Sequence, residues 1–254
     1  MKFLRRLLLL LIVLLLIAGV FVATCPAEFA YRMVADRFGA VRLAGVSGSL
    51  WQGRAASTQV FGQEIGALDW QLEAAPLFGG EVMAHVRLAG NELSGGGIVD
   101  RTSDGTISVR DATFRVPASL AAPALDIPSL QLLGHIDGKL TRAQLRGVWL
   151  QQASGTLLWS DAAVAGAAQA QFGTLEATFS SAPDGSISGV ARDLGGPLQL
   201  SGTFKVNAGS FEADANLAAR DGNPQVIEAL RYIGEPQADG TSHLIIHGQL
   251  FKLF

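Results

Sequence analysis

Serine and histidine are the residues of this sequence whose positions come nearest to a catalytic or metal-binding pattern. Ser47 lies in the segment 45–49 (GVSGS), which departs from the G-x-S-x-G pattern of a nucleophilic serine at its last position. On one strand face, His243 and His247 would lie about 13 Å apart, which is too far for both to bind one metal ion. We therefore predict no catalytic residue, no metal site and no cofactor, and a protein that is not an enzyme.

The N-terminal segment predicts attachment to a membrane. Lys2, Arg5 and Arg6 precede an uncharged run, Leu7–Ala27, that is almost wholly aliphatic or aromatic up to Ala23. About 20 apolar residues can cross a bilayer as a helix, and flanking basic residues stay on the cytoplasmic side. We therefore predict a single-pass protein of the bacterial inner membrane, with its N-terminus in the cytoplasm and its C-terminal domain in the periplasm.

This topology defines the expected domains. They are a basic cytoplasmic tail (1–6), a transmembrane helix (7–25), a membrane-proximal helix (26–39) and a periplasmic β domain (41–254). Two alternatives remain open for the N-terminal segment. A cleaved signal peptide usually has an apolar core of about 7–15 residues, shorter than the run observed here. A lipoprotein would use Cys25, although Thr24 and Pro26 are unusual neighbours for a lipidated cysteine.

Charge and cysteine content narrow the possible partners. The net charge is −3. Without Lys2, Arg5 and Arg6, the chain has 16 basic and 22 acidic residues, which gives a net charge of −6. A mildly acidic exported domain lacks the basic surface that binds nucleic acid. Cys25 is the only cysteine, so the β domain has no disulfide and no cysteine-based metal site. Its stability must come from buried apolar area and from sheet hydrogen bonds.

From Val41 onward, apolar residues recur at every second position, which is typical of strands with one buried face. Leu68, Trp70 and Leu72 form one such set, so we predict that Trp70 is buried. Asp-Gly occurs five times, beginning at residues 104, 137, 184, 221 and 239, and favours tight hairpin turns. The predicted fold class is all-β, an antiparallel β-rich domain that follows a single N-terminal transmembrane helix.

Few short helices are expected beside these strands. Helical spacing of apolar residues predicts one helix over Ala27–Phe38. Asn223 can cap a second helix, Pro224 fits its first turn, and Gly234 ends it. A Pro- and Ala-rich segment, Pro117–Pro128, is interpreted as a linker or a loop that covers the sheet.

The chain also resembles itself at an offset of 107 residues. The segment 47–50 (SGSL) aligns with 154–157 (SGTL), and 66–69 (GALD) aligns with 173–176 (GTLE). A shared offset indicates two similar β modules that together form one long twisted sheet or groove. The predicted modules are residues 41–128 and 129–254.

The segment 47–53 (SGSLWQG), followed by Leu68-Asp69-Trp70, resembles the signature of the type II secretion system protein N family. The order of the later helix, Asp239-Gly240 and the last strand, Leu244–Leu250, is similar to that family as well. The residues that carry the signature are Ser47, Gly48, Leu50, Trp51, Gly53, Leu68 and Trp70.

The resemblance implies a non-catalytic accessory component of the type II (general) secretion pathway, which exports folded proteins across the outer membrane. Its expected partners are other type II secretion subunits, either in the inner-membrane platform or at the outer-membrane channel, together with the inner membrane itself. The family is similar in fold to AsmA-like proteins, so the alternative is a periplasmic lipid-binding or lipid-carrier protein with an apolar β groove. A sheet face closed by the segment 117–128 and the late helix would be core, whereas an open one would bind ligand.

Overall fold

Antiparallel strands dominate the computed structural model, which describes residues 19–21, 23–77, 79–122, 130–147, 149–207 and 210–249. This confirms the predicted all-β class. The predicted cytoplasmic tail (1–6) and most of the predicted transmembrane helix (7–25) lie outside the described residues. Within the described ranges, no helix is both long and apolar enough to span a bilayer.

The chain divides into two compact units, Met1–Asn91 and Glu92–Phe254. In the first unit, helix α1 (Ala27–Val34) and a 3₁₀ turn (Ala35–Phe38) occupy the span predicted as a helix. A four-stranded antiparallel meander and a one-turn helix follow among the described residues: β1 (Val41–Gly48), β2 (Gln52–Val60), β3 (Gln63–Glu73), α2 (Ala74–Leu77) and β4 (Val82–Ala89).

The second unit continues the same pattern. Its strands are β5 (Ser94–Arg101), β6 (Thr106–Pro117), β7 (Leu130–Arg146), β8 (Trp149–Gly166), β9 (Ala170–Ser181), β10 (Ile187–Asp193), β11 (Leu198–Asn207), β12 (Ser210–Ala219), β13 (Glu235–Pro236) and β14 (Ser242–Gln249). Strands β5 to β12 pair in chain order, β14 pairs with β12, and the short β13 pairs with the outer side of β14.

Three short helical segments interrupt the described part of this unit. A 3₁₀ turn (Ala118–Ala121) follows β6, and helix α3 (Pro224–Leu230) lies between β12 and β13, after the 3₁₀ turn Arg220–Gly222. The Asn223 side chain accepts hydrogen bonds from the backbone N–H groups of Gln225 and Val226, at 3.0 and 3.2 Å. The predicted cap of the late helix is therefore confirmed, whereas its predicted end at Gly234 is wrong, because the helix ends at Leu230.

The main core of the second unit forms where the 3₁₀ turn Ala118–Ala121 and helix α3 cover one face of the sheet. Ala118 from the 3₁₀ turn and Val226, Ala229 and Leu230 from α3 are buried in the same cluster as Leu132 of β7. The covering of the face at this end agrees with the expectation for the segment after Pro117 and for the late helix. Residues 123–129 lie outside the described ranges.

The Asp-Gly pairs do not all form hairpin turns. Asp104, Asp184 and Asp239 lie in turns between paired strands, whereas Asp221 lies in the 3₁₀ turn before α3. The prediction for Asp137 is wrong, because Asp137 and Gly138 lie in the middle of β7. Gly138 is buried there, and a Cβ atom at this position would be 2.1 Å from the ring of Phe114 on β6. Gly138 therefore makes room for an aromatic ring instead of forming a turn.

Two glycines support the internal repeat. Strand β3 begins at Gln63 and β9 at Ala170, 107 residues later. Gly66 and Gly173, which that offset aligns, both have positive φ, and a Cβ at either would lie 3.0 Å or less from the Cα atom of a glycine on the neighbouring segment. The boundaries 41–128 and 129–254 stay a prediction.

Candidate functional site

The signature segment forms the tight connection between β1 and β2. Gly48 pairs with Gly53 at its base, and the N–H of Ser49 donates to the carbonyl of Gln52 at 2.9 Å. In return, the N–H of Gln52 donates to the Ser49 hydroxyl at 3.1 Å. Gly48 has φ +85°, and a Cβ there would be 2.6 Å from the Gln52 carbonyl oxygen, so this turn requires glycine at position 48.

Trp70 of β3 fixes this turn from the neighbouring strand. Its indole Nε1–H donates to the Leu50 carbonyl oxygen at 3.1 Å. Gly53 is its cross-strand partner, and a Cβ at Gly53 would be 2.4 Å from the indole ring. The prediction that Trp70 is buried is therefore wrong, because the ring covers a glycine on the sheet surface and Trp70 is only half-buried.

The same turn holds the chain that enters the first unit. The N–H of Leu50 donates to the carbonyl of Cys25 at 2.8 Å, and Pro26 forms a β-bridge with Ser49. A little further along, the Tyr31 hydroxyl on α1 accepts the backbone N–H of Leu43 on β1 at 2.9 Å. The signature turn and α1 thus form one joint between the N-terminal segment and the sheet.

The remaining signature residues lie beside this joint. Ser47 pairs with Arg54 on β2, and Leu68 pairs with Ala55 on β2 and with Leu88 on β4. The carbonyl of Trp51 accepts the N–H of Leu72 at 2.7 Å.

The structure therefore brings Gly48, Leu50, Gly53 and Trp70 together, while Ser47 and Leu68 occupy ordinary ladder positions. Cys25 and Tyr31, which complete the joint, were missed because their contacts are made through the backbone or from a separate helix.

Several titratable groups in the described part of the chain form ion pairs or turn contacts. His85 lies 2.8 Å from Glu73, and His243 lies 2.8 Å from Asp214. Hydrogen bonds from Thr102 and Thr106 lower the pKa of Asp104 to about 2 in an exposed turn. No group of three or more His, Cys, Asp or Glu residues among the described ones could hold a metal ion.

A second feature lies within the second unit, where the two covering segments do not fill the space above the sheet. They leave a cavity of about 340 Å³ between the 3₁₀ turn, α3 and the strands. Its roof includes Ala121, Leu230 and Ile233, and its floor includes Trp159 and Leu200. The indole N–H of Trp159 is already used, because it donates to the carbonyl of Leu133 at 2.8 Å.

Together the fold and these sites define an all-β protein whose N-terminal segment is hydrogen-bonded to its first hairpin and whose larger sheet packs against short helices. The chain belongs to the type II secretion system protein N family, since it matches the family described as "Type II secretion system (T2SS), protein N" over residues 39–244. That range begins just before β1 and ends within β14. The resemblance of the signature segment is therefore confirmed.

One curated relative shows the same relationship. The chain is 31% identical over 144 residues to the type II secretion system protein N of Vibrio cholerae serotype O1 (strain ATCC 39315 / El Tor Inaba N16961). The similarity covers 55% of this chain and 57% of that relative. The chain therefore spans little more than half the length of the curated relative that it matches. No solved structure matches the chain.

Proposed function

We propose that the protein is an inner-membrane-anchored accessory component of the type II secretion pathway. It supports export of folded proteins across the outer membrane through protein–protein contacts of its periplasmic β domain. The single observation that carries this proposal is the family match over residues 39–244, which includes both the signature turn and the larger sheet. Deletion should therefore impair exoprotein release or weaken assembly of the secretion apparatus.

The joint at the signature turn supports the anchored topology. The predicted transmembrane helix (7–25) ends at Cys25, and the Cys25 carbonyl is hydrogen-bonded to Leu50 of the first hairpin. A helix that ends at this residue would be attached to the sheet without an intervening flexible linker. Tethering of this kind raises the effective concentration of the sheet near membrane partners.

A reporter that is active only in the periplasm, fused after Phe254, tests this topology. We expect reporter activity together with fractionation of the protein with the inner membrane. Recovery of a shortened, soluble chain from the periplasm would contradict the anchor and support a cleaved signal peptide. Attachment that depends on Cys25 would support the lipoprotein alternative.

The outer edge of β14 is the best-supported contact surface. On that side, among the described residues, β14 pairs only with β13, through His243 and Ser242. Among the described residues, no strand pairs with this side of β14 from Leu244 onward, and such edges readily pair with another chain. The Ile245 side chain is 55% exposed at this edge.

Site-specific photocrosslinking in intact cells tests the edge. A crosslinking residue at Ile245 should capture another secretion subunit, identified by mass spectrometry. The matched control is Val190, which is 53% exposed but lies on β10, between two paired strands. Capture of the same subunit from both positions, or from neither, would mean that the outer edge of β14 is not the specific contact surface.

The second candidate function is a periplasmic lipid carrier. An open groove is not favoured at the end of the sheet where the 3₁₀ turn and α3 close the apolar face. The cavity beneath these two segments is the observation that supports binding of an apolar ligand. If phospholipid alone is recovered by crosslinking and exoprotein export is normal in the deletion strain, the lipid-carrier function would replace the secretion role.

A further inference from the structure

The cavity in the second unit has a row of small side chains along its floor. Hydrogen-bonded registers place six residues side by side across β8, β9, β10, β11, β12 and β14: Leu157, Ala177, Ala191, Gly202, Ala215 and Leu244. Both leucines and the first two alanines line the cavity. Gly202 and Ala215 continue the row between Ala191 and Leu244, so no side chain larger than alanine separates the two leucines and the row forms a narrow slot between them.

The residues on either side of this row explain why the slot is not filled. On the adjacent row the rings of Phe179 and Phe204 approach each other, with centroids 6.4 Å apart. Phe204 extends over Gly189, because a Cβ at that glycine would be 2.4 Å from its ring. Leu230 and Ile233, which belong to the covering segment, pack over this face of the sheet. Bulk is therefore placed beside the small-residue row and above it, but not on it.

The chemistry of the lining is almost wholly apolar. Glu176 is the one charged residue among the described lining residues, and its carboxylate is paired with Arg192, with Oε2 2.7 Å from the guanidinium Nε. The indole N–H of Trp159 is bonded to a carbonyl, so it donates nothing to the cavity. Ordered water needs two to four polar partners, which makes this space unsuitable for water and suitable for hydrocarbon.

We infer that this cavity is a binding site for one unbranched alkyl chain of about eleven carbons. A methylene group occupies about the volume of a water molecule in the liquid, ~30 Å³, so a cavity of about 340 Å³ accommodates about eleven such groups. A slot one residue wide excludes bulky ring systems. This inference rests on the second candidate function, whose ligand it specifies, and not on the secretion role: loss of alkyl-chain binding with normal export, or the reverse, would separate the two.

The alkyl chain can come from a free fatty acid or from a phospholipid. Saturated fatty acids of 8, 10, 12, 14 and 16 carbons, and lysophospholipids with the same chains, therefore serve as the two sets of probes. The full-length protein is kept in a fluorinated surfactant, whose chains mix poorly with hydrocarbon, and binding is measured by titration calorimetry. Tighter binding of one set identifies the natural source of the chain.

The expected result is a rise in affinity of about fourfold per added methylene, which is the factor for burying one such group. This rise should stop near eleven or twelve carbons, when the cavity is full. Absence of binding at every chain length would overturn the inference. So would an affinity that still rises steadily at 16 carbons, because that result describes adsorption on an open surface.

Two variants of one strand locate the binding. Ala191→Phe adds a ring on the floor of the cavity and should lower the affinity for the 12-carbon acid at least tenfold. Val190→Phe introduces the same ring at the next residue, whose side chain is exposed on the opposite face, and should leave the affinity unchanged. An equal effect of the two substitutions would place binding outside the cavity.

A third variant keeps the test decisive if Ala191→Phe does not fold. Leu244→Ala shortens the side chain at one end of the slot and should move the optimal chain length upward by up to about three carbons, since three carbon atoms are removed. An unchanged optimum in a folded Leu244→Ala protein would contradict the inferred position of the chain.

Discussion

The indole of Trp70 occupies the space that a side chain at Gly53 would need. The two residues are cross-strand partners on β3 and β2, and a Cβ at Gly53 would lie 2.4 Å from the ring. From the same position, the indole N–H reaches the carbonyl of Leu50, whose own N–H is bonded to Cys25. One aromatic residue therefore connects the sheet, the signature turn and the N-terminal segment.

Substitution of Gly53 by alanine should displace Trp70 and destabilise the first unit. Forced insertion of a methyl group into a tightly packed position costs about 1–3 kcal/mol. Urea unfolding followed by tryptophan fluorescence measures the change. Gly79→Ala is the control, because the nearest atom to its new Cβ, a Pro76 oxygen, is 3.4 Å away, and its effect should stay within about 0.5 kcal/mol. Equal costs would mean that the ring does not depend on Gly53.

Replacement of Trp70 by phenylalanine should remove the hydrogen bond to Leu50 and retain most of the ring. The expected loss is about 0.5–1.5 kcal/mol for the bond. Trp70→Ala should cost about 3 kcal/mol, near the lower limit for a buried aromatic residue, because Trp70 is only half-buried. Trp159→Phe should lose a similar amount of stability, because the indole N–H of Trp159 also donates to a backbone carbonyl, that of Leu133. A fully stable Trp70→Phe protein would show that the bond contributes nothing measurable.

The position of Gly138 under the Phe114 ring can be tested by a double-mutant cycle. Gly138→Ala alone should cost about 1–3 kcal/mol, because its Cβ would lie 2.1 Å from the ring. In a Phe114→Leu background the smaller side chain leaves room, so the cost of the same change should fall by at least about 0.5 kcal/mol. Additive costs in the two backgrounds would instead indicate that the alanine acts on the backbone.

The Asn223 cap should stabilise the helix that roofs the cavity. Asn223→Ala removes the acceptor for the N–H groups of Gln225 and Val226 and should cost about 1 kcal/mol. Asn207→Ala, at the exposed end of β11, is a matched control whose effect should stay within about 0.5 kcal/mol. Thermal unfolding of the three proteins compares them directly. If the two variants lose the same stability, the cap geometry is unimportant.

Asp193 should make stability depend on pH in the acidic range. Its burial raises the pKa, but hydrogen bonds from the N–H groups of Leu200 and Gly195 and the charge of Arg220 outweigh this, so the pKa lies below its usual 3.8. A carboxyl group with a lowered folded-state pKa stabilises the protein above pH 4, and this contribution is lost as the pH falls through the folded-state pKa.

Asp193→Asn should therefore be less stable than the unmodified protein at pH 7, and the difference should shrink as the pH falls from about 4 toward 2. Other turn aspartates with lowered pKa values, such as Asp104, are common to both proteins and cancel in the comparison. Unfolding free energies measured by urea titration at each pH give the difference. A difference that stays constant with pH would mean that the lost stability is not electrostatic.

Local patterns in the sequence were sufficient for the strands and for the late helix. Period-two alternation predicts a half-buried strand because successive side chains point to opposite faces, and the burial of β11 and β12 follows it. The Asn223-Pro224 pair predicted the start of α3 because capping involves only the next three residues. In these cases the decisive interactions are made within a few residues of the chain.

The sequence by itself thus determined an all-β chain, its late helix and, through the signature segment, its family. Only the tertiary structure decided that Asp137-Gly138 continues a strand, because the Phe114 ring that requires a glycine there lies 24 positions earlier in the chain. It likewise decided that the signature turn holds Cys25, and that a cavity remains under α3. Contacts between residues far apart depend on strand register and on the fit of whole elements, which no short segment specifies.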